Sequence, residues 1–115
     1  MWIMIAGPYR TGASSEEQRE RNWLVLNLAA YEVFRKGHVP LVGVNMALPI
    51  VRAMGEPARS DIMTSISLAL ADRCDAVLRI GGPSIGADEE VERIRARGGN
   101  VYRSIDEIPD EHGTG

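Results

Sequence analysis

The chain opens on an unbroken apolar run, Trp2 to Ala6, that stops at Gly7-Pro8. Because Pro8 has no N–H to give a sheet ladder, the run predicts a buried strand ending there. Ser14 and Glu17 stand at capping-box spacing, which predicts a helix beginning near Ser15. It can continue to Lys36, with Arg35 and Lys36 against the negative end of the helix dipole and Gly37 just beyond. Trp23, Leu26, Ala30, Val33 and Phe34 recur at helical spacing, and Leu24, Val25 and Leu28 widen the apolar arc. A helix so apolar around its girth is expected to be covered on two sides, one of them the sheet.

His38 to Val42 is short and apolar, with β-branched Val39 and Val42, and reads as a second strand. Val44 to Met54 fits either a short helix with Pro49 in its first turn or a loop. Glu56 to Arg59 reads as a turn, after which Ser60 can cap a helix running to about Arg73. Asp75 to Ile80 is predicted as the third strand, Gly81 to Gly86 as a glycine-rich turn, and Ala87 to Arg97 as a helix closed by Gly98-Gly99. Asn100 to Arg103 gives a fourth strand, and Ser104 with Glu107 repeats the capping-box spacing before Pro109.

Strands alternating with helices imply right-handed crossovers and a parallel sheet. The expectation is one α/β domain over residues 1–109, with residues 110–115 a disordered tail. Its architecture would be a three-layer sandwich of flavodoxin/Rossmann type, with four parallel strands in order 2-1-3-4. That order puts the switch point between strands one and three, so the loops at 7–13 and 81–86 face each other across the crevice where such sheets bind ligands.

Charge and cysteine content narrow the function. With 13 basic against 16 acidic side chains the net charge is −3, which argues against a binder of nucleic-acid polymers. A single cysteine, Cys74, excludes an internal disulfide and a cysteine-rich zinc site, so a cytoplasmic setting is expected. No apolar run approaches the ~20 residues of a membrane span, and the opening run lacks the basic flank of a signal peptide. His38 and His112 have no carboxylates at ligand spacing, so no metal and no cofactor is expected. His38 at a strand start reads as structural and Cys74 as a small buried residue.

The chemistry concentrates in the two crevice loops. Ser84-Ile85-Gly86 leads into a helix whose unpaired amides favour an anion, with Ser84 adding a hydroxyl, or else simply capping the helix. No lysine follows these glycines, so the run is not a Walker motif, and no GxSxG nucleophile elbow exists. At ~100° per residue, Ala87, Val91 and Ile94 form an apolar stripe, with Glu89 at ~170° from its centre, Glu92 at ~130° and Asp88 at ~90°. Glu90, at only ~65°, is the acid turned towards the protein. It reads as a carboxylate nucleophile or base, or as one more acid placed to suit the helix dipole. On the facing loop, Tyr9 can hydrogen-bond or stack on a base, and Arg10 can grip phosphate or carboxylate unless it is merely solvated.

Together these residues resemble the nucleoside 2-deoxyribosyltransferase-like superfamily, which includes the deoxynucleoside 5′-monophosphate N-glycosidases and short bacterial relatives. The resemblance is carried by Ile5-Ala6-Gly7-Pro8-Tyr9-Arg10, Asn22, Gly37-His38-Val39-Pro40, Cys74-Asp75-Ala76-Val77 and Ser84 through Glu90. It spans residues 3 to 109. It implies a catalytic pair of Glu90, as nucleophile, and Tyr9, a phosphate or sugar contact at Ser84 and Gly86, and substrate-binding Gly7 and Arg10 on the loop that lines the sugar and base site with Tyr9. It also implies a homodimer or higher oligomer whose sites are completed by a neighbouring subunit. Two departures stand out. Asp88 and Glu89 replace the family's glycine and aromatic or methionine, and Ser67 stands where family enzymes carry the aspartate that assists the departing base. The expected function is hydrolysis or transfer at the N-glycosidic bond of a nucleoside or (deoxy)nucleoside 5′-monophosphate. The alternatives are a non-catalytic nucleotide sensor or a phosphoribohydrolase of the lysine-decarboxylase-like group, whose Pro-Gly-Gly-x-Gly-Thr-x-x-Glu pattern is absent.

Overall fold

The computed structural model describes residues 1–10, 12–55 and 60–111. Strand β1 (Trp2–Ala6) pairs in parallel with β2 (Val39–Val42) on one side and β3 (Ala76–Arg79) on the other, and β4 (Asn100–Tyr102) pairs with β3. The order is β2-β1-β3-β4, all parallel, as the alternation of elements predicts. Ile3 lies between Pro40 and Ala76 in register. Pro40 is tolerated because β2 is an edge strand.

Helices α1 (Glu16–Arg35), α2 (Gly43–Ala53), α3 (Ser60–Ala71) and α4 (Ile85–Ala96) flank the sheet, followed by a 3₁₀ turn at Ile105–Glu107. Alternate residues of β1 and β3 feed two apolar layers. Ile3, Ile5, Ala76 and Leu78 pack with Leu26, Ala30 and Val33 of α1. Met4, Ala6 and Val77 pack with Val91 and Ile94 of α4 and with Ala71 and Cys74.

Several boundaries differ from the sequence reading. Ser15, not Ser14, caps α1: its backbone is extended and its hydroxyl accepts from the Gln18 N–H at 3.1 Å, because Ser15-x-x-Gln18 satisfies the same spacing one residue later. The ambiguous stretch after β2 is helical. Helix α2 starts directly at Gly43, so Pro49 falls mid-helix rather than in the first turn. Helix α4 begins at Ile85, two residues earlier than expected. The box at Ser104 and Glu107 is present in both halves, around a single 3₁₀ turn. The turn expected at 56–59 and the end of the tail, 112–115, lie outside the described residues.

The end of the described chain is stitched to α1. The Lys36 ammonium donates to the carbonyls of Ile105 and Ile108 at 2.7 and 2.9 Å, and the Glu111 amide to the Lys36 carbonyl at 2.8 Å. The tail expected from residue 110 is therefore held at Glu111. His38 is buried between the Met1 amino group, 2.9 Å from Nδ1, and the Pro109 carbonyl, 2.7 Å from Nε2. Its role is structural.

Two members of the α1 stripe, Trp23 and Phe34, are surface residues, because Leu26, Ala30 and Val33 already fill the sheet face. The Trp23 indole N–H instead donates to Asn45 of α2 at 2.9 Å. Leu24, Val25, Leu28 and Tyr31 are also exposed, so the outer face of α1 is uncovered. Among the described residues, no helix is long and apolar enough to cross a membrane.

Candidate active site

The carboxyl ends of β1, β2 and β3 converge on one cavity of about 240 Å³. Gly7, Tyr9 and Arg10 reach it from the loop after β1, Gly43 from the start of α2, and Ser84, Gly86, Glu89 and Glu90 from the β3–α4 junction. The two crevice loops touch directly. A Cβ on Gly81, whose φ is 77°, would come within 2.8 Å of the Pro8 ring. Gly7 is required by the same close approach, since a Cβ there would stand 2.7 Å from the Ile80 carbonyl oxygen. The Tyr9 carbonyl is fixed by Asn22 of α1, whose side-chain amide donates to it at 2.8 Å.

Ser84 is the N-cap of α4, its buried hydroxyl accepting from the Ala87 N–H at 3.2 Å. Capping uses one lone pair and leaves the hydroxyl proton for a ligand in the cavity it also lines. The next backbone donor, Asp88, is paired with the Ser84 carbonyl, so the amides of Ile85 and Gly86 are the unpaired pair at this helix start. A Cβ on Gly86 would meet nothing within 4 Å. Packing does not demand that glycine, and its bareness leaves the helix end open to the cavity. Ser84→Ala should cost about 1 kcal/mol through the lost cap and weaken ligand binding, read by thermal unfolding and titration calorimetry on one sample.

Glu90 is the buried acid of the four at 8% exposure, whereas Asp88, Glu89 and Glu92 are exposed. Its helix is locked in place. Arg93 makes a two-pronged contact with Asp72 at 2.9 and 3.1 Å, and Arg97 donates to the carbonyls of Ala71 and Cys74 at 2.6 and 2.9 Å. The Glu90 carboxyl itself has no hydrogen bond or ion pair among the described residues. Burial pushes it up to about 7; the Arg79 guanidinium opposes that shift and the Glu89 carboxylate adds to it.

Three contributors, Gly43, Thr64 and Arg79, were not anticipated from sequence, and Ser67, which the sequence did single out, also reaches the site. Gly43 lies where a Cβ would stand 2.4 Å from the Ser67 hydroxyl and 3.5 Å from Glu90 Oε2, so both groups border its bare backbone. Ser67 and Thr64 enter from α3. Arg79, buried at the end of β3, donates to Asp88 Oδ1 at 3.0 Å and to the carbonyls of Ile80 and Gly82, tying strand end, turn and helix start together. The available signals were a glycine directly after a strand and an arginine closing an otherwise apolar one.

Cys74 is no competitor as a nucleophile, because burial, and then the Asp75 carboxylate, push its thiol up to about 11. Among the described residues, no group of three His, Cys, Asp or Glu side chains is arranged to hold a metal ion. In comparison with known proteins, the chain matches no protein-family model and no curated sequence.

Proposed function

We propose that the chain hydrolyses or exchanges the N-glycosidic bond of a nucleoside or (deoxy)nucleoside 5′-monophosphate, with Glu90 as nucleophile. The observation that carries this reading is a buried carboxyl without a hydrogen bond or ion pair among the described residues, set in the switch-point cavity one turn from the amides at the start of α4. An ionised Glu90 oxygen attacks the anomeric carbon and the base departs with the bonding electrons. Water or a second base then takes the sugar from the resulting ester. The Ser84 hydroxyl and the Gly86 amide hold the 5′ end of the sugar, which fixes its anomeric carbon relative to Glu90. Tyr9 and Arg10 line the rest of the site and orient sugar and base. The residue pattern shared with the nucleoside 2-deoxyribosyltransferase-like superfamily supports the same reading. The reaction needs no cofactor, and the inferred setting is the cytoplasm. The test is base release, followed by chromatography, from a panel of nucleosides and their 5′-monophosphates. Release that depends on Glu90 supports the proposal, and the lack of any release contradicts it.

A second reading, a non-catalytic nucleotide sensor, is favoured by one observation. Ser67 presents a hydroxyl where the related enzymes carry the acid that assists the departing base. Tight binding without release would select it.

We also propose that the chain self-associates through the outer face of α1. That face is acidic at its start, with Glu16 and Glu17, and carries Arg35 in its last turn. Antiparallel pairing with a second copy would bring Leu24 against Leu28 and Glu17 against Arg35, burying apolar surface and matching charge. Light scattering at tens of micromolar should give a dimer or larger species that Leu28→Glu dissociates. A wild-type monomer under those conditions contradicts the proposal.

A further inference from the structure

Glu90 is more than nine-tenths buried, faces the cavity, and has no hydrogen-bonding or charged partner among the described residues. No fully buried side-chain oxygen is left unpaired among the described residues, so the Glu90 carboxylate opens to the cavity, where a ligand can supply its partner. The charged groups around it are unevenly matched. Arg79, from β3, is committed to Asp88 and to two backbone carbonyls. Glu89, on the same helix, lines the cavity with a second negative charge, and Arg10, from the loop after β1, supplies the one positive charge among the described lining residues. Among the described lining residues, α3 contributes the apolar Met63 and Leu68 and the neutral hydroxyls of Thr64 and Ser67. A neutral base leaves far more readily when it is protonated on departure, and among the described lining residues α3 contributes no carboxylic acid to do so.

Resting on the glycosidase reading, we infer that the preferred substrates are N-glycosides of cationic heteroaromatic bases, such as pyridinium or N7-alkylated purine nucleosides. Such a base leaves without a proton. The Glu90 oxygen forms a bond to the anomeric carbon, the carbon–nitrogen bond breaks, and its electron pair returns to the ring nitrogen, neutralising the base. Water then adds at the anomeric carbon, the carboxylate is released from the ester, and one proton passes to solvent. The same positive charge compensates Glu89 and Glu90 on binding and favours the ionised form of Glu90 that the attack requires.

The test pairs binding with turnover on the wild-type protein and Glu89→Gln. 1-Methylnicotinamide, a permanent cation without a glycosidic bond, should bind at least about ten-fold more tightly than nicotinamide, and Glu89→Gln should narrow that ratio. In turnover, nicotinamide riboside and 7-methylguanosine should show larger accelerations over their uncatalysed rates than inosine and guanosine. Equal binding of the two nicotinamides, or equal accelerations for cationic and neutral nucleosides, overturns this inference while leaving the glycosidase reading intact. No release from any of these nucleosides overturns both.

Discussion

Glu90→Gln is expected to fold and to retain ligand in the cavity, yet to lower turnover by at least ~100-fold, as follows when a nucleophile is lost and its shape is kept. The size of the effect comes from the site itself. Cys74 is buried with a raised thiol, and the other potential nucleophiles among the described lining residues are the hydroxyls of Tyr9, Thr64, Ser67 and Ser84 and the exposed Glu89 carboxylate. Because the reaction requires the ionised carboxylate and burial raises its pKa to about 7, kcat/KM should climb from acid pH and level off above neutrality. Steady-state kinetics from pH 5 to pH 9 check both statements. An unchanged turnover in Glu90→Gln would remove Glu90 from the chemistry.

The same substitution should make the protein more stable in mildly alkaline solution. The folded state holds the Glu90 proton more tightly than the unfolded chain, whose carboxyl titrates near 4.5. Below that value both states are protonated and the residue adds no pH dependence. Between 4.5 and about 7 the folded state binds more protons, so stability falls as pH rises, and above 7 the full cost of the buried charge is felt. The raised pKa corresponds to about 3 kcal/mol, or roughly 10 °C in Tm for a chain of this size. Glu90→Gln should therefore unfold at a higher temperature than wild type at pH 8, with the gap closing towards pH 4.5. Calorimetry across that range decides it; parallel Tm curves would mean that the carboxyl is not taken up as a buried charge.

What the sequence disclosed, and what it hid, follows from whether a feature is local. The strand run at Trp2 to Ala6, the left-handed residue at Gly37, with φ 93°, and the inward turn of Glu90 all depend on neighbours within one element. The parallel order β2-β1-β3-β4 follows from alternation and handedness. Helix α2 is ambiguous in the sequence because Pro49 reads as a breaker or a first-turn residue, whereas the helix starts at Gly43, directly after β2, with no side-chain cap to mark it. That uncertainty hid Gly43, whose bare backbone lies beside Ser67 of α3 and Glu90 of α4 only in the folded chain. Arg79 was concealed in the opposite way. Arginine at a strand end suggests a solvated side chain, yet here it is buried because the Ile80 and Gly82 carbonyls and Asp88 together satisfy its donors. Trp23 and Phe34 misled because periodicity marks an apolar arc without saying how much of it one sheet face covers.

The most direct measurement is intact-protein and peptide mass spectrometry after incubation with a nicotinamide nucleoside carrying fluorine at the sugar 2′ position, which slows release of a glycosyl ester. The expected result is one sugar added per chain, with the mass on the peptide containing Glu90 and none on Glu90→Gln. Base release from the fluorinated nucleoside without any adduct, or an adduct on another residue, would contradict Glu90 as the nucleophile of a glycosyl-transferring site.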